Sequence, residues 1–446
     1  MGTEAADIFA LDAVALRDRL ASGALRAVEL VEACVARIEA REPEVQAWAW
    51  FDAEFARAQA KALDAHRATG RAIGPLHGLP VGLKDVIDTA RIPTENGARR
   101  DAGRKPARDA WIVDRLKAAG AVIMGKTTTT ELAFLTPSKT RNPHNPEHTP
   151  GGSSAGSAAA VGAGMVPLAV GTQTGGSVIR PASFCGVTGF KPSFGAVPRT
   201  GVLMQSHSLD TLGVFGKTPA CAALIGDALF GFDPADPATC PAPAPRLLAT
   251  AQTEPPLAPV FAFVKLPRWG DADPQLHAAF EELKDELGEQ LFETELPSAF
   301  DEAAALRARI NFAEMAKYYH AYRRDGFDLL GAETRKAILD GESILARDYL
   351  AALDWRQVFN AGLDEVFTRC DALLCPAALG PAPKGLGSTG DAIFNGLFTL
   401  TGNPAVTIPA FASADGLPMG LQIVGRRGDD ARLLRTARWL AGRLGC

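Results

Sequence analysis

The chain has 446 residues, enough for one large or two ordinary domains with a sizeable core. Hydrophobic residues make up 47% and charged residues 22%, the balance of an ordinary globular chain. The net charge of -5, with Lys and Arg scattered along the chain, leaves no basic footprint and excludes nucleic acid as an expected partner.

The start, Met1-Gly2-Thr3-Glu4, lacks the basic residues and apolar run of a leader peptide, and Ala6 stands where myristoylation requires Ser or Thr. From 11 to 69 the pattern is helical, with Val28, Val31, Val35 and Ile38 at helical spacing. Leu79-Pro80-Val81-Gly82-Leu83 is a short apolar strand. Ala110–Ala119 predicts a helix stopped by Gly120, and Ala121–Met124 the buried strand that follows. Helix alternating with short apolar strand is the texture of an α/β fold. Gly, Ser and Thr are concentrated between 141 and 217. The proline-rich stretch 233–259 predicts an exposed connection, after which Phe261–Val264 resumes as a strand. Residues 274–370 are mostly helical in pattern, and His277 sits there as an ordinary structural residue. Strands return at Asp371–Cys375, Ala405–Ile408 and Gly420–Val424, before a last helix. Nowhere do about 18 uninterrupted apolar residues occur, so no membrane-spanning helix is expected. Seven dispersed cysteines without a Cys-x-x-Cys pair predict reduced thiols in a cytoplasmic protein and no metal knot.

Two familiar patterns match by string and fail on context. Gly120 to Thr127 satisfies the phosphate-loop pattern, but a helix precedes it and its interior of Ala121, Val122, Ile123 and Met124 favours a strand. Gly152-Ser153-Ser154-Ala155-Gly156 satisfies the nucleophile-elbow pattern of Ser-His-Asp hydrolases. The preceding Asn142 to Pro150 is a proline-broken loop where that elbow needs a strand. His144 and His148 are separated by Pro146, which denies them the helix of a zinc pair.

Two Gly/Ser clusters remain, Thr149 to Ser157 and Gly171 to Pro181. Paired glycines before a helix start allow backbone N–H groups to converge on an oxyanion, although one such cluster alone is more often a turn with a serine cap. The third element is Lys84, set among Leu83, Val86 and Ile87. Burial there would lower its pKa and make it a neutral base.

Together these residues resemble the amidase signature family along nearly the whole chain. The resemblance rests on Pro75 to Asp85, the tract from Asn142 to Ser193, and the late segments Gly402 to Val406 and Gly416 to Gln422. Within the family, the malonamidase-like bacterial members that act on amides of small acids are the most similar. The resemblance implies a single α/β domain over 1–446 with a mixed, twisted central sheet covered by helices on both faces. Its parts would be N-terminal helices (1–70), the core and signature segment (75–220), a helical part covering the pocket (221–370), and C-terminal strands with a helix (371–446).

It also implies a Ser–Ser–Lys triad: Ser177 as nucleophile, Ser153 as bridging serine after a cis peptide bond, and Lys84 as base. The N–H groups of Thr174, Gly175, Gly176 and Ser177 would form the oxyanion hole. Ser154 would supply a supporting hydrogen bond near Lys84. Gly152, Arg180 and Tyr319 are candidate substrate contacts. For Arg180, pairing with a substrate carboxylate and holding local carbonyls weigh equally. Many members carry an acidic residue where Gln173 stands, and their arginine one place nearer the serine. The aromatic helix around Asn311–Tyr322, and more weakly Glu131–Leu135, would border the acyl pocket.

The implied activity is hydrolysis of small-molecule amides, with ester cleavage as a side activity and no metal or organic cofactor, by a monomer or homodimer. Carbamates (urethanes) and aryl amides are the alternative substrates. The family also includes the amidase subunit of a tRNA-dependent amidotransferase. The Gln173 region and the absence of a basic surface favour a free-standing amidase.

Overall fold

The computed structural model describes residues 8–446. The leader-peptide and myristoylation expectations fall on residues 1–6 and lie outside the described residues. Eleven strands form one mixed sheet: β1 (Trp48–Phe51), β2 (Pro80–Lys84), β3 (Val122–Thr127), β4 (Leu168–Gln173), β5 (Thr188–Lys191), β6 (Thr211–Gly216), β7 (Phe261–Val264), β8 (Leu291–Thr294), β9 (Ala372–Pro376), β10 (Ala405–Ala412) and β11 (Pro418–Val424). Their spatial order is β1-β3-β2-β4-β6-β5-β10-β11-β9-β7-β8. β2 runs parallel to both β3 and β4, and β7 parallel to β8 and β9, while β4, β6, β5, β10, β11 and β9 pair antiparallel in turn.

Both faces of the sheet are covered, as expected. On β5, a methyl built on Gly189 would touch Ala182 of the helix Ile179–Phe184, whereas the next residue, Phe190, stacks on Phe230 beside the helix Pro219–Leu229. Successive strand residues point to opposite faces, so these helices lie on opposite sides. β2 and β3 are buried on both faces, which explains why they read as continuous apolar runs rather than alternating ones.

Two expectations are corrected. The stretch 11–69 is not helical throughout: helices Ala13–Ser22, Ala27–Val45 and Ala53–Ala68 are interrupted by the edge strand β1. Gln46, at a φ of 53°, closes the second helix, and the Asp52 carboxylate caps the third by accepting from the N–H groups of Glu54 and Phe55. Four residues between two caps are too few to show a period. The connection 233–259 is also not wholly exposed. Asp233, Asp236 and Thr239 are buried, and Asp236 accepts three hydrogen bonds from the Arg199 side chain and backbone. A short helix, Leu247–Ala251, follows. Among the described residues no helix is long and apolar enough to cross a membrane.

Candidate active site

Parallel pairing of β2 with β4 aligns Leu83 with Val170, so the C-terminal ends of neighbouring strands deliver Lys84 and Thr172 side by side. Open α/β sheets place reactive groups at such strand ends. Lys84 Nζ lies 2.7 Å from Thr172 Oγ1 and 2.7 Å from Ser153 Oγ. The Gly152–Ser153 peptide bond is cis. Ser154 does not join this contact directly. Its Oγ donates to the Thr172 carbonyl at 3.1 Å and accepts from the Thr172 N–H at 3.2 Å, fixing the strand residue that Lys84 touches.

Lys84 is fully buried, and loss of hydration lowers its pKa from 10.5 to about 7, against an upward pull from the carboxylate of Asp210. Asp210 is itself buried, which pushes its carboxyl up to about 6 even though Thr174 Oγ1 donates to it at 2.6 Å and the N–H groups of Gln205 and Ser206 donate at 2.7 and 2.9 Å. One carboxylate therefore acts on the lysine and on the loop that carries Ser177.

That loop is held from several sides. Gln173 Oε1 accepts from the N–H groups of Val178 (2.8 Å) and Ile179 (3.1 Å), and its Nε2 donates to Thr399 Oγ1 at 3.0 Å. Thr399 in turn donates to the Gly175 carbonyl at 2.7 Å. A methyl on Gly176 would stand 2.3 Å from Asn395 Oδ1, so glycine is required there. Among the described residues, the N–H groups of Thr174, Gly175, Gly176 and Ser177 donate to no protein acceptor. The hydroxyl of Ser177, a residue only 9% exposed, likewise makes no protein hydrogen bond there, to Ser153 included. A row of uncommitted donors beside an uncommitted hydroxyl is what an incoming carbonyl oxygen requires.

Arg180 is buried and donates through Nη2 to the Gly152 carbonyl (2.6 Å) and Thr389 Oγ1 (3.1 Å), so the local role weighed for it has its partners in the structure. Gly152 contributes that carbonyl and lies so close to Thr389 and Thr130 that a side chain would collide with both. Tyr319 is fully enclosed and donates to the Leu132 carbonyl at 2.6 Å, so its hydroxyl is committed within the protein. It buttresses Leu132, whose φ is 48°. The stretch Asn311–Tyr322 falls on two helices, Ala303–Tyr318 and His320–Arg324, and Asn311 accepts from Gln205 Nε2 at 3.0 Å, a residue lining a cleft with Thr172 and Thr174. Glu131 is committed to the Gly331 N–H and the Thr334 hydroxyl.

The rejected patterns are rejected by geometry too. Gly125, Lys126 and Thr127 belong to β3, and Lys126 Nζ is used on the Ile87 carbonyl, Thr94 and Asp85. His144 donates to the Cys185 carbonyl and His148 to the Ala382 carbonyl. His277 packs edge-on against Trp269. Sequence reading missed Thr172, Asp210 and Thr399. The signal for Asp210 was a lone carboxylate in the polar run Gln205–Thr211 immediately before an apolar strand.

The family model described as Amidase matches residues 29–434. A glutamyl-tRNA(Gln) amidotransferase subunit from Chloroflexus aggregans is 35% identical, with 94% of this chain and 93% of the relative aligned. A solved structure from a vestigial protein complex, one that reveals the evolutionary origins of an s-triazine catabolic enzyme, superposes with a TM-score of 0.90 at 28% identity, covering 97% of this chain and 98% of that one. A crystal structure of an amidase gives 0.85 at 30% identity, covering 98% and 100%. The chain belongs to the amidase family and is an amide-hydrolysing enzyme.

Proposed function

We propose that Ser177 is the nucleophile, Ser153 the proton relay and Lys84 the base of a Ser–Ser–Lys amidase acting through an acyl-enzyme. The observation that carries this reading is the buried Lys84 amine, its pKa lowered to about 7, at hydrogen-bond distance from Ser153 Oγ. Neutral Lys84 accepts the Ser153 proton, and Ser153 accepts that of Ser177 as Ser177 Oγ attacks the amide carbon. Contacts between relay members commonly tighten only when substrate is bound, which accommodates the open Ser177 hydroxyl. The N–H groups of Thr174, Gly175, Gly176 and Ser177 hold the oxyanion. The relay then runs backwards to protonate the departing nitrogen, and water releases the acid by the same route. The chain's own groups supply every proton transfer, so the reading invokes no metal or organic cofactor.

The substrate class is a small-molecule amide, with carbamates, aryl amides and esters as further substrates for the same relay. Turnover of a panel of these four classes by the wild type, lost in Ser177→Ala with the fold retained, tests the reading. Full turnover by Ser177→Ala would sink it. For the setting, the curated relatives favour a second reading: the glutaminase subunit of a tRNA-dependent amidotransferase. The free-standing amidase draws its support from structural neighbours such as the solved amidase. Glutaminase activity appearing only when the other amidotransferase subunits are added would decide for the complex; amide turnover by the chain alone would decide for the free enzyme.

A further inference from the structure

The loop carrying Ser177 is flanked by two clefts. One, narrow at about 10 Å³, is lined by Thr172 and Thr174 with Ala133, Val202, Leu203 and Met204. The other, about 90 Å³, is lined by Arg307, Asp391, Leu266, Phe300, Ile393 and Leu397. Arg307 sits on the helix Ala303–Tyr318 and aims its guanidinium at the loop: a methyl on Gly175 would lie 3.2 Å from Nη1, and one on Gly396 2.7 Å from Nε. Two glycines thus leave room for this one side chain, and the nearer of them stands two residues from Ser177.

Among the described residues Arg307 makes no hydrogen bond and no ion pair. Asp391, the carboxylate that acts on it through space, is engaged by Arg268 at 2.9 Å. A partly buried guanidinium without an acceptor is costly, and the cost is recovered when a ligand supplies a carboxylate in the fork of N–H donors. We infer that Arg307 is a specificity-determining residue that binds the carboxylate of an amide substrate in this second cleft while its carbonyl lies at the Ser177 loop. The inference rests on the proposed role of Ser177 and names its preferred substrates: amides that also carry a carboxylate, on either the acyl or the amine arm.

The test compares succinamate with butyramide, and N-butyrylglycine with N-ethylbutyramide, in wild type, Arg307→Gln and Arg307→Lys. The wild type should prefer at least one carboxylate amide over its neutral counterpart. Arg307→Gln should raise KM for it about 10- to 100-fold, the range of a lost charge-assisted pair, with the neutral amide within about threefold. Arg307→Lys should fall between, because it keeps the charge without the planar fork. Equal effects on charged and neutral amides, or none on either charged one, would overturn the inference. Calorimetric binding of succinate and N-butyrylglycine to Ser177→Ala, with and without Arg307→Gln, reads the same site without turnover. If the wild type cleaves no amide, the proposed function fails while the binding arm still decides on Arg307. Should Arg307→Gln not fold by its melting curve, Arg307→Lys carries both arms.

Discussion

Gln173→Leu separates loop support from chemistry. The Gln173 carboxamide oxygen holds the N–H groups of Val178 and Ile179, and its nitrogen reaches Thr399, which holds the Gly175 carbonyl. Leucine fills similar volume and supplies none of these bonds. Two buried N–H groups lose their acceptor at about 1–3 kcal/mol each, so a stability loss of about 2–6 kcal/mol is expected. The freed loop carries the donors assigned to the oxyanion, and loss of one such donor costs about 10²–10³ in kcat. The expected result is a lower melting temperature with kcat reduced about 10²–10³-fold and KM changed far less. Gln173→Glu keeps an acceptor for both N–H groups and should retain more stability than Gln173→Leu. Calorimetric melts and steady-state kinetics at a temperature where all variants are folded provide the assay. A Gln173→Leu enzyme with kcat within about threefold of wild type would refute the assignment of that loop as the oxyanion site.

Because the proposed relay needs Lys84 neutral and its pKa is lowered to about 7, kcat/KM should rise with pH through about 7 and level off above it. Lys84→Ala should lose the rate and this limb together; a residual activity with the same limb would count against Lys84 as base. Asp210→Asn removes the carboxylate that raises the Lys84 pKa, so the limb should move to lower pH while the rate falls, read from a pH–rate profile. Asp236→Ala strands buried Arg199 without its partner, and a loss of about 3–5 kcal/mol is expected in chemical denaturation. Wild-type stability in that variant would show that the proline-rich connection is not anchored by this pair.

The parts of the fold that could be read in the sequence are those whose local pattern decides the outcome. β2 and β3 announced themselves as short apolar runs because they are buried on both faces. β1 did not, because its pairing with Gly125, Lys126 and Thr127 of β3 is a long-range fact written in no local period. The proline-rich stretch misled for a related reason: composition reports turns, but burial of Asp236 depends on Arg199, 37 positions away. At the candidate site, Lys84 and the two Gly/Ser clusters were legible from residue type, while their support was not. Thr172, Asp210 and Thr399 are common polar residues whose roles exist only through partners brought in by the sheet. Tyr319 shows the converse limit, since aromatic spacing marks a buried stripe without telling that its hydroxyl is held by the Leu132 carbonyl.

The supporting residues also explain how a lysine can do the work that a histidine would do in the rejected elbow. Burial alone would drive the Lys84 amine toward neutrality, and an amine made too weak a base could not draw a proton from a serine. Asp210 opposes that trend from within the same pocket. Its carboxyl ionises near pH 6, so above that pH a negative charge stands ready when the proposed relay puts a proton on Lys84. The same carboxylate accepts from Thr174, at the start of the loop assigned to the oxyanion, at 2.6 Å. One buried group therefore sets how readily the base is charged and where the loop sits. It follows that proton transfer and oxyanion stabilisation should fail together in Asp210 variants, and separately in Lys84 and Gln173 variants.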